Sequence, residues 1–459
     1  MRAKTARATR RRITRALLPA ACFLALSGRA SAAPTQNPKL IAIPENTAVD
    51  LGPYTCENPE GASGGCAAIT DYSGMVYDHH DHQMLMFGGG HAGATGTLRS
   101  DVSAFDFAEL QWKSAYTPTS CAEMRFDNID PSNASWISTG QPLARHTYDM
   151  LVMGDDPPHL LMLTSGAVGP ETCSGPMAPP GFSLQTKVSA YDPVARTWKY
   201  HSTSTGDWDS FSVAELDPVS GMVAILGSYG LWIYDPRKDA FAGSKFLPVE
   251  LGYANNLVYS SVDDRMYYFM RGDSTRVFEL ALHRDDWGSS TLTELTGVVG
   301  GPATLETGYA YDTLNHVIGG AVVDGRFSAF DPVKRTWTTV EMKTEPPGAK
   351  VGTLAFHEIA YDPVDGVFLF ITDYPSGFHV WAYRYAGTPP APPGDGGLGD
   401  GGGVQAPPEG APPEGAGDCG CRLAPPREFA TGAVTWGLLI GALTARARRR
   451  SSLPAPRRR

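Results

Sequence analysis

The chain has 459 residues, 42% hydrophobic and 10% aromatic, with 51 glycines and 37 prolines, enough apolar material for a large core. Its formal net charge is −10, but residues 1–33 carry 8 basic and no acidic side chains and residues 422–459 carry 9 Arg and one Glu, so the body between them sets 21 basic against 47 acidic residues. A body that acidic repels phosphate backbones and anionic lipid, which excludes nucleic acid as a partner.

Residues 1–33 read as an export signal peptide: a basic stretch to Arg15, an apolar run over 16–26, and Ala30-Ser31-Ala32 as a small-residue cleavage site. Thr9-Arg10-Arg11-Arg12-Ile13 is loosely similar to a twin-arginine signal, and ordinary basicity of the leader explains it equally well. In an exported chain Cys56, Cys66, Cys121 and Cys173 read as two disulfides, because their spacings contain no C-x-x-C pair of a zinc site. Residues 34–68 form an N-terminal extension with a predicted strand at 40–43 (Leu-Ile-Ala-Ile).

Over 69–387 a pattern of four short alternating runs recurs. It is clearest at 74–116, where SGMVYD, QMLMFGGG, DVSAFDF and QWKSAY are separated by turn residues. The first strands are predicted to end near Asp78, Asp149, Asp217, Asp263, Asp312 and Asp362, and the last three intervals of 46, 49 and 50 residues match one repeat each. Most third strands end in Asp, and an aromatic follows six residues later: Asp106 and Trp112, Asp192 and Trp198, Asp235 and Phe241, Asp331 and Trp337; the fourth unit departs, with Glu279 and Trp287. With the glycines Gly88-Gly89-Gly90 after a second strand, these features resemble the kelch-type β-propellers of the galactose-oxidase-like superfamily.

That resemblance implies an all-β, six-bladed propeller. The sixth unit offers only three strands, so residues 40–43 are expected to supply its outer strand and close the ring. Copper oxidases of the superfamily use two tyrosines, two histidines and a cysteine cross-linked to one tyrosine. Here the body cysteines lie in loops and read as paired, so copper oxidation is not expected, and no strong motif demands any other cofactor.

Residues 388–418 are Pro/Gly-rich and read as a flexible linker. Residues 419–459 contain Cys419-Gly420-Cys421, a 17-residue apolar stretch at 429–445 and an Arg cluster from Arg446. They look like the myxobacterial sorting signal MYXO-CTERM, which implies a membrane protease as partner, cleavage near the cysteines and display on the cell surface. A plain transmembrane tail anchor is the simpler alternative; either places the propeller outside the cytoplasm.

Strand alternation gathers three long loops, 88–100, 117–144 and 165–186, on one face. A Cys121–Cys173 pairing would tie two of them together, and Cys56–Cys66 would close a local loop. The same face is expected to bring His91, Arg145, His146 and His357 to the mouth of the central channel. Three imidazoles and a guanidinium suit a metal, an anion or a sugar, whereas polar residues at strand starts also serve merely to bond a neighbouring blade. The tract Asp78-His79-His80-Asp81-His82 has the composition of a metal tract, but it is placed on the opposite face, outside the channel, as an exposed turn where adventitious metal binding is expected rather than a built site. No catalytic motif of the nucleophile-elbow, zincin or phosphate-loop kind occurs. The expected function is therefore binding of an extracellular glycan, matrix component or protein, with an extracellular carbohydrate-active enzyme built on those histidines as the alternative.

Overall fold

Alternating apolar runs bounded by Asp- and Gly-rich turns fold here as short antiparallel strands, in an all-β arrangement. The computed structural model describes residues 34–55, 72–88, 99–164, 184–208, 211–247, 249, 255–270, 276–302, 308–374 and 377–387. The predicted leader, linker and tail lie outside them, as do His91, Cys56, Cys66, Cys173, Cys419 and Cys421. Among the described residues no helix is long and apolar enough to cross a membrane; the predicted span at 429–445 is not among them.

A four-residue helix, α1 (Pro38–Ile41), precedes β1 (Thr47–Pro53). The first four-stranded meander is β2 (Gly74–Asp78), β3 (Gln83–Phe87), β4 (Ser103–Asp106) and β5 (Gln111–Ser114). The long loop after it carries a two-stranded ribbon, β6 (Ile129–Asp130) and β7 (Ser135–Trp136), with its own apolar cluster of Met124, Ile129, Trp136 and Leu143. The next meander is β8 (Leu151–Asp155), β9 (Pro158–Met162), β10 (Lys187–Asp192) and β11 (Thr197–Ser204). It is followed by β12 (Val213–Asp217), β13 (Met222–Gly227), β14 (Gly230–Asp235) and β15 (Ala240–Lys245). Then come β16 (Asn256–Ser260), β17 (Arg265–Phe269), β18 (Val277–Ala281) and β19 (Thr291–Glu294). The meander β20 (Tyr309–Asp312), β21 (Val317–Val323), β22 (Arg326–Asp331) and β23 (Thr336–Glu341) precedes a short β24 (Lys343–Glu345). The described chain ends with β25 (Thr353–Asp362), β26 (Val367–Tyr374) and β27 (Gly377–Arg384).

The first strands touch one another in a closed circuit, β2 to β8, β12, β16, β20, β25 and back to β2. Apolar clusters accordingly lie between successive sheets. One joins Leu85 and Phe87 to Leu151 and Leu160, and another joins Leu226 and Ile233 to Leu257 and Tyr268. The aromatic six residues after each third-strand Asp faces the residue just before that Asp: Phe105 opposite Trp112, Tyr191 opposite Trp198, Tyr234 opposite Phe241 and Phe330 opposite Trp337. Each then reaches a neighbouring element. Trp198 packs edge-on against Phe87 at 5.2 Å, Trp337 against Phe269 at 5.7 Å, and Trp112 against Tyr54 at 5.1 Å.

Two expectations are corrected. Residues 40–43 are not a strand: Asn37 caps α1 by accepting from the Lys39 N–H, Pro38 occupies its first turn, and Leu40 and Ile43 bury themselves in the adjoining core. The outer strand beside β27 is β1 instead, antiparallel, with Ala48 opposite Tyr383 and Val49 opposite Ala382. Its far edge is covered by β24, which runs parallel to it. In the second meander the first strand does not end at Asp149 but runs from Leu151 to Asp155. Tyr148 takes a positive φ of 45°, which ends any extended run there. The Thr147 hydroxyl, bonded to the Phe87 carbonyl at 2.7 Å, accepts the Gly74 N–H at 2.8 Å and fixes that turn.

Candidate functional site

The circuit of first strands encloses a cavity of about 440 Å³. When these strands are aligned on their last residue, the third residue from the end always lines it: Val76, Met153, Glu215, Val258, Ala310 and Ala360. Five are apolar and one is a carboxylic acid. The next position supplies Tyr77, Leu216, Tyr259, Tyr311 and Tyr361, whose side chains wall the cavity toward the turns. The tyrosine hydroxyls are directed at turn residues: Tyr259 donates to Asp264 at 3.0 Å, and Tyr311 lies 3.2 Å from His316 Nδ1.

Glu215 accepts the Leu216 N–H at 2.8 Å. Burial pushes its carboxyl up to about 7, against the lowering effect of the Leu216 and Tyr259 amides. Asp149 lines the same cavity. Its carbonyl accepts from Ala214 N in β12, while its carboxylate reaches on to β16 and accepts from Leu257 N at 2.7 Å. Burial raises its pKa well above the carboxylate range, opposed by that amide and reinforced by the charge of Glu215. Two acids whose protons are held by a half-apolar cavity thus interact across its wall.

At the turn end His79 and Asp155 also line the cavity, with Nε2 and Oδ1 3.0 Å apart. The hydrogen bond to Asp155 raises the imidazole pKa and lowers that of the carboxyl. His80 lies beside His79 with ring centroids 4.0 Å apart and the planes tilted by 39°, and the side chains of His79, His80 and Asp155 could hold a metal ion. The expectation of an exposed turn outside the channel is therefore corrected at two residues: His79 lines the cavity and His82 is buried.

The predicted rim of Arg145, His146 and His357 does not assemble as expected. His146 and His357 do approach one another through Tyr148: His146 Nδ1 lies 2.8 Å from the Tyr148 hydroxyl, and the Tyr148 and His357 rings are 6.4 Å apart. His357 Nδ1 is 3.2 Å from Asn256 Oδ1. Yet His146 and His357 are only 2% and 4% exposed, and neither lines the cavity. Arg145 turns away altogether. Its guanidinium donates to the carbonyls of Leu143 and Ala134 inside the 117–144 loop, where burial lowers its pKa to about 10. The reason is the displaced β8, which leaves residues 145–149 in a packed turn ahead of the strand. His91 is outside the described residues. Cys121 is disulfide-bonded, and the residue it pairs with is outside them too.

No family model and no curated protein matches the chain. Among solved structures, it is similar to an auxiliary nutrient binding protein from Bacteroides thetaiotaomicron VPI-5482 (TM-score 0.44, 8% identity, covering 73% of this chain and 76% of that one). A second auxiliary nutrient binding protein, from Bacteroides ovatus ATCC 8483, gives 0.43 at 11% identity over 73% and 76%. A protein of unknown function from the first organism gives 0.42 at 11% identity over 74% and 75%. Likeness at this level assigns neither a family nor a ligand.

Proposed function

We propose that this chain is an exported six-bladed, kelch-like β-propeller that binds a small uncharged polar ligand, a sugar ring or two, in its central cavity. The observation that carries this reading is the presence of Glu215 and Asp149 in a largely apolar and aromatic wall, with His79 and Asp155 confined to its turn end. Protonated or ionised, such carboxyls bond hydroxyls, while the tyrosine and aliphatic faces cover the ring carbons; a cavity of about 440 Å³ suits a ligand of that size. The long loops of the opposite face remain a place for a larger glycan, matrix or protein partner. The leader and the Cys419-Gly420-Cys421 tail support export and surface tethering by a sorting protease, and Cys121–Cys173 and Cys56–Cys66 are the pairings we favour.

Titration calorimetry of the purified protein against a panel of neutral mono- and disaccharides tests this. Binding that is lost in Glu215→Gln supports it; a panel without binding, or binding indifferent to Glu215 and Asp149, refutes it. A second reading, a carbohydrate-active enzyme, rests on Glu215 and Asp149 lining one cavity, because a carboxyl poised near 7 beside a second acid is what proton transfer at neutral pH needs. Its acid–base groups would be Glu215 and Asp149 rather than His146 and His357, which do not reach the cavity. Release of reducing sugar by the parent but not by Glu215→Gln would select it.

A further inference from the structure

Where the last meander meets the first, a second cluster lies apart from the cavity carboxylates. His82, in the β2–β3 turn, points between Asp362 and Asp365 of the β25–β26 turn, with Nε2 3.1 Å from Asp362 Oδ2 and 3.7 Å from Asp365 Oδ2. The side chains are 9%, 0% and 0% exposed, and the donor atoms lie within 4.8 Å of one another.

Each carboxylate is half committed to backbone. Asp362 Oδ1 accepts Val364 N at 2.9 Å and Asp365 Oδ1 accepts Asn37 N at 2.8 Å, which turns both Oδ2 atoms toward His82. Asp365 Oδ2 is buried with no hydrogen-bond partner. The imidazole is held flat against Phe107, with centroids 4.9 Å apart at 14°. Arg384, which adjoins the cluster, gives its hydrogens to the carbonyls of Ile43, Leu40 and Asp365 and not to either carboxylate.

We propose that His82, Asp362 and Asp365 form a binding site for a divalent transition metal of the zinc class, which fastens the seam of the ring. Two carboxylates and a neutral imidazole carry two negative charges, which one divalent cation cancels without leaving a buried surplus. Tetrahedral zinc with bonds of about 2.0–2.1 Å needs donors ~3.3 Å apart, and the observed 3.1 and 3.7 Å bracket that spacing. One nitrogen and two oxygens suit zinc better than calcium or magnesium, which take oxygens alone and more of them. Tyr77, whose ring lies 6.2 Å from that of His82 and whose buried hydroxyl senses both carboxylates, adjoins the cluster. Because Asn37 also ends on Asp365, the metal would bind the first turn, the last turn and the N-terminal strap together.

The test is metal uptake by the full chain after chelation and dialysis, read by elemental analysis and by the melting temperature with and without added zinc. One tight equivalent, a higher melting temperature with zinc, and loss of both in His82→Gln and Asp365→Asn are expected. Asp365→Asn keeps an oxygen for Asn37 N and carries the test should His82→Gln fail to fold. Uptake must survive in the double variant His79→Ala/His80→Ala, which removes the other cluster. No stoichiometric uptake by the parent, uptake that persists in Asp365→Asn, or uptake abolished in the double variant overturns the proposal. X-ray absorption of the zinc form should show a single imidazole; two would assign the metal to His79 and His80.

Discussion

Replacing Glu215 by Gln isolates the cost of keeping an acid in the cavity wall. In the folded chain the carboxyl titrates at about 7, against 4.5 for the free group. Between those values the folded state holds a proton that the unfolded state has released, so the stability this one group contributes is lost as pH rises from 4.5 to 7 and its contribution is level on either side. A shift of that size amounts to about 3 kcal/mol, less whatever solvent reaching the half-buried group screens. Gln keeps an oxygen for the Leu216 amide, which now donates at 2.8 Å, but has no proton to lose. It also relieves the electrostatic pressure of Glu215 on Asp149. Urea unfolding of both proteins from pH 4 to 8 is the assay. Below pH 4.5 the two should differ little, and above pH 7 the Gln form should be the more stable by up to about 3 kcal/mol. A stability difference independent of pH, or one that favours wild type increasingly above pH 7, would refute the account of Glu215 as a desolvated acid.

Arg284 joins the turns of two successive meanders, donating to both Asp217 oxygens at 2.8 Å and to Asp264 Oδ2 at 2.7 Å. Arg284→Met should cost about 2 kcal/mol by denaturant titration, because the buried Asp217 loses its counter-ion and keeps only the Ser220 hydroxyl and the Val219 amide as donors. Gly74 sits where β2 passes the second meander, and a Cβ there would lie 2.3 Å from the Tyr148 carbonyl oxygen. Gly74→Ala should therefore cost about 2 kcal/mol, seen as a lower urea midpoint with an unchanged slope. Deleting residues 34–54 removes β1 and bares the edge of β27; light scattering should show aggregation where the parent stays dispersed.

The parts of this fold that every meander needs were legible, because they recur. Asp106 with Trp112 and Asp331 with Trp337 could be placed in register from spacing alone, since the turn and the facing aromatic are set within ten residues. The closing strand was not. Residues 40–43 look more strand-like than Thr47–Pro53, which contains Gly52 and Pro53, but Asn37-Pro38 starts a helical turn and the edge of β27 supplies the ladder that β1 lacks in its own sequence. Tyr148-Asp149 imitates the Tyr77-Asp78 that ends β2, and the imitation moved the predicted strand six residues upstream, carrying with it Arg145, which turns into the 117–144 loop instead. Glu215 left a trace that alignment of the strands on their final residue recovers: it is the one ionisable side chain at a position otherwise held by Val76, Met153, Val258, Ala310 and Ala360. Of the seam cluster only His82 left a trace, in the histidine-rich tract at 78–82; Asp362 and Asp365 left none, since ring closure alone brings Asp362 to a residue 280 positions away. Symmetry in such a ring is what the core requires of each unit. A ligand breaks that symmetry, so chemistry is to be sought at the positions where one unit departs from the rest, and Glu215 is that departure inside the cavity.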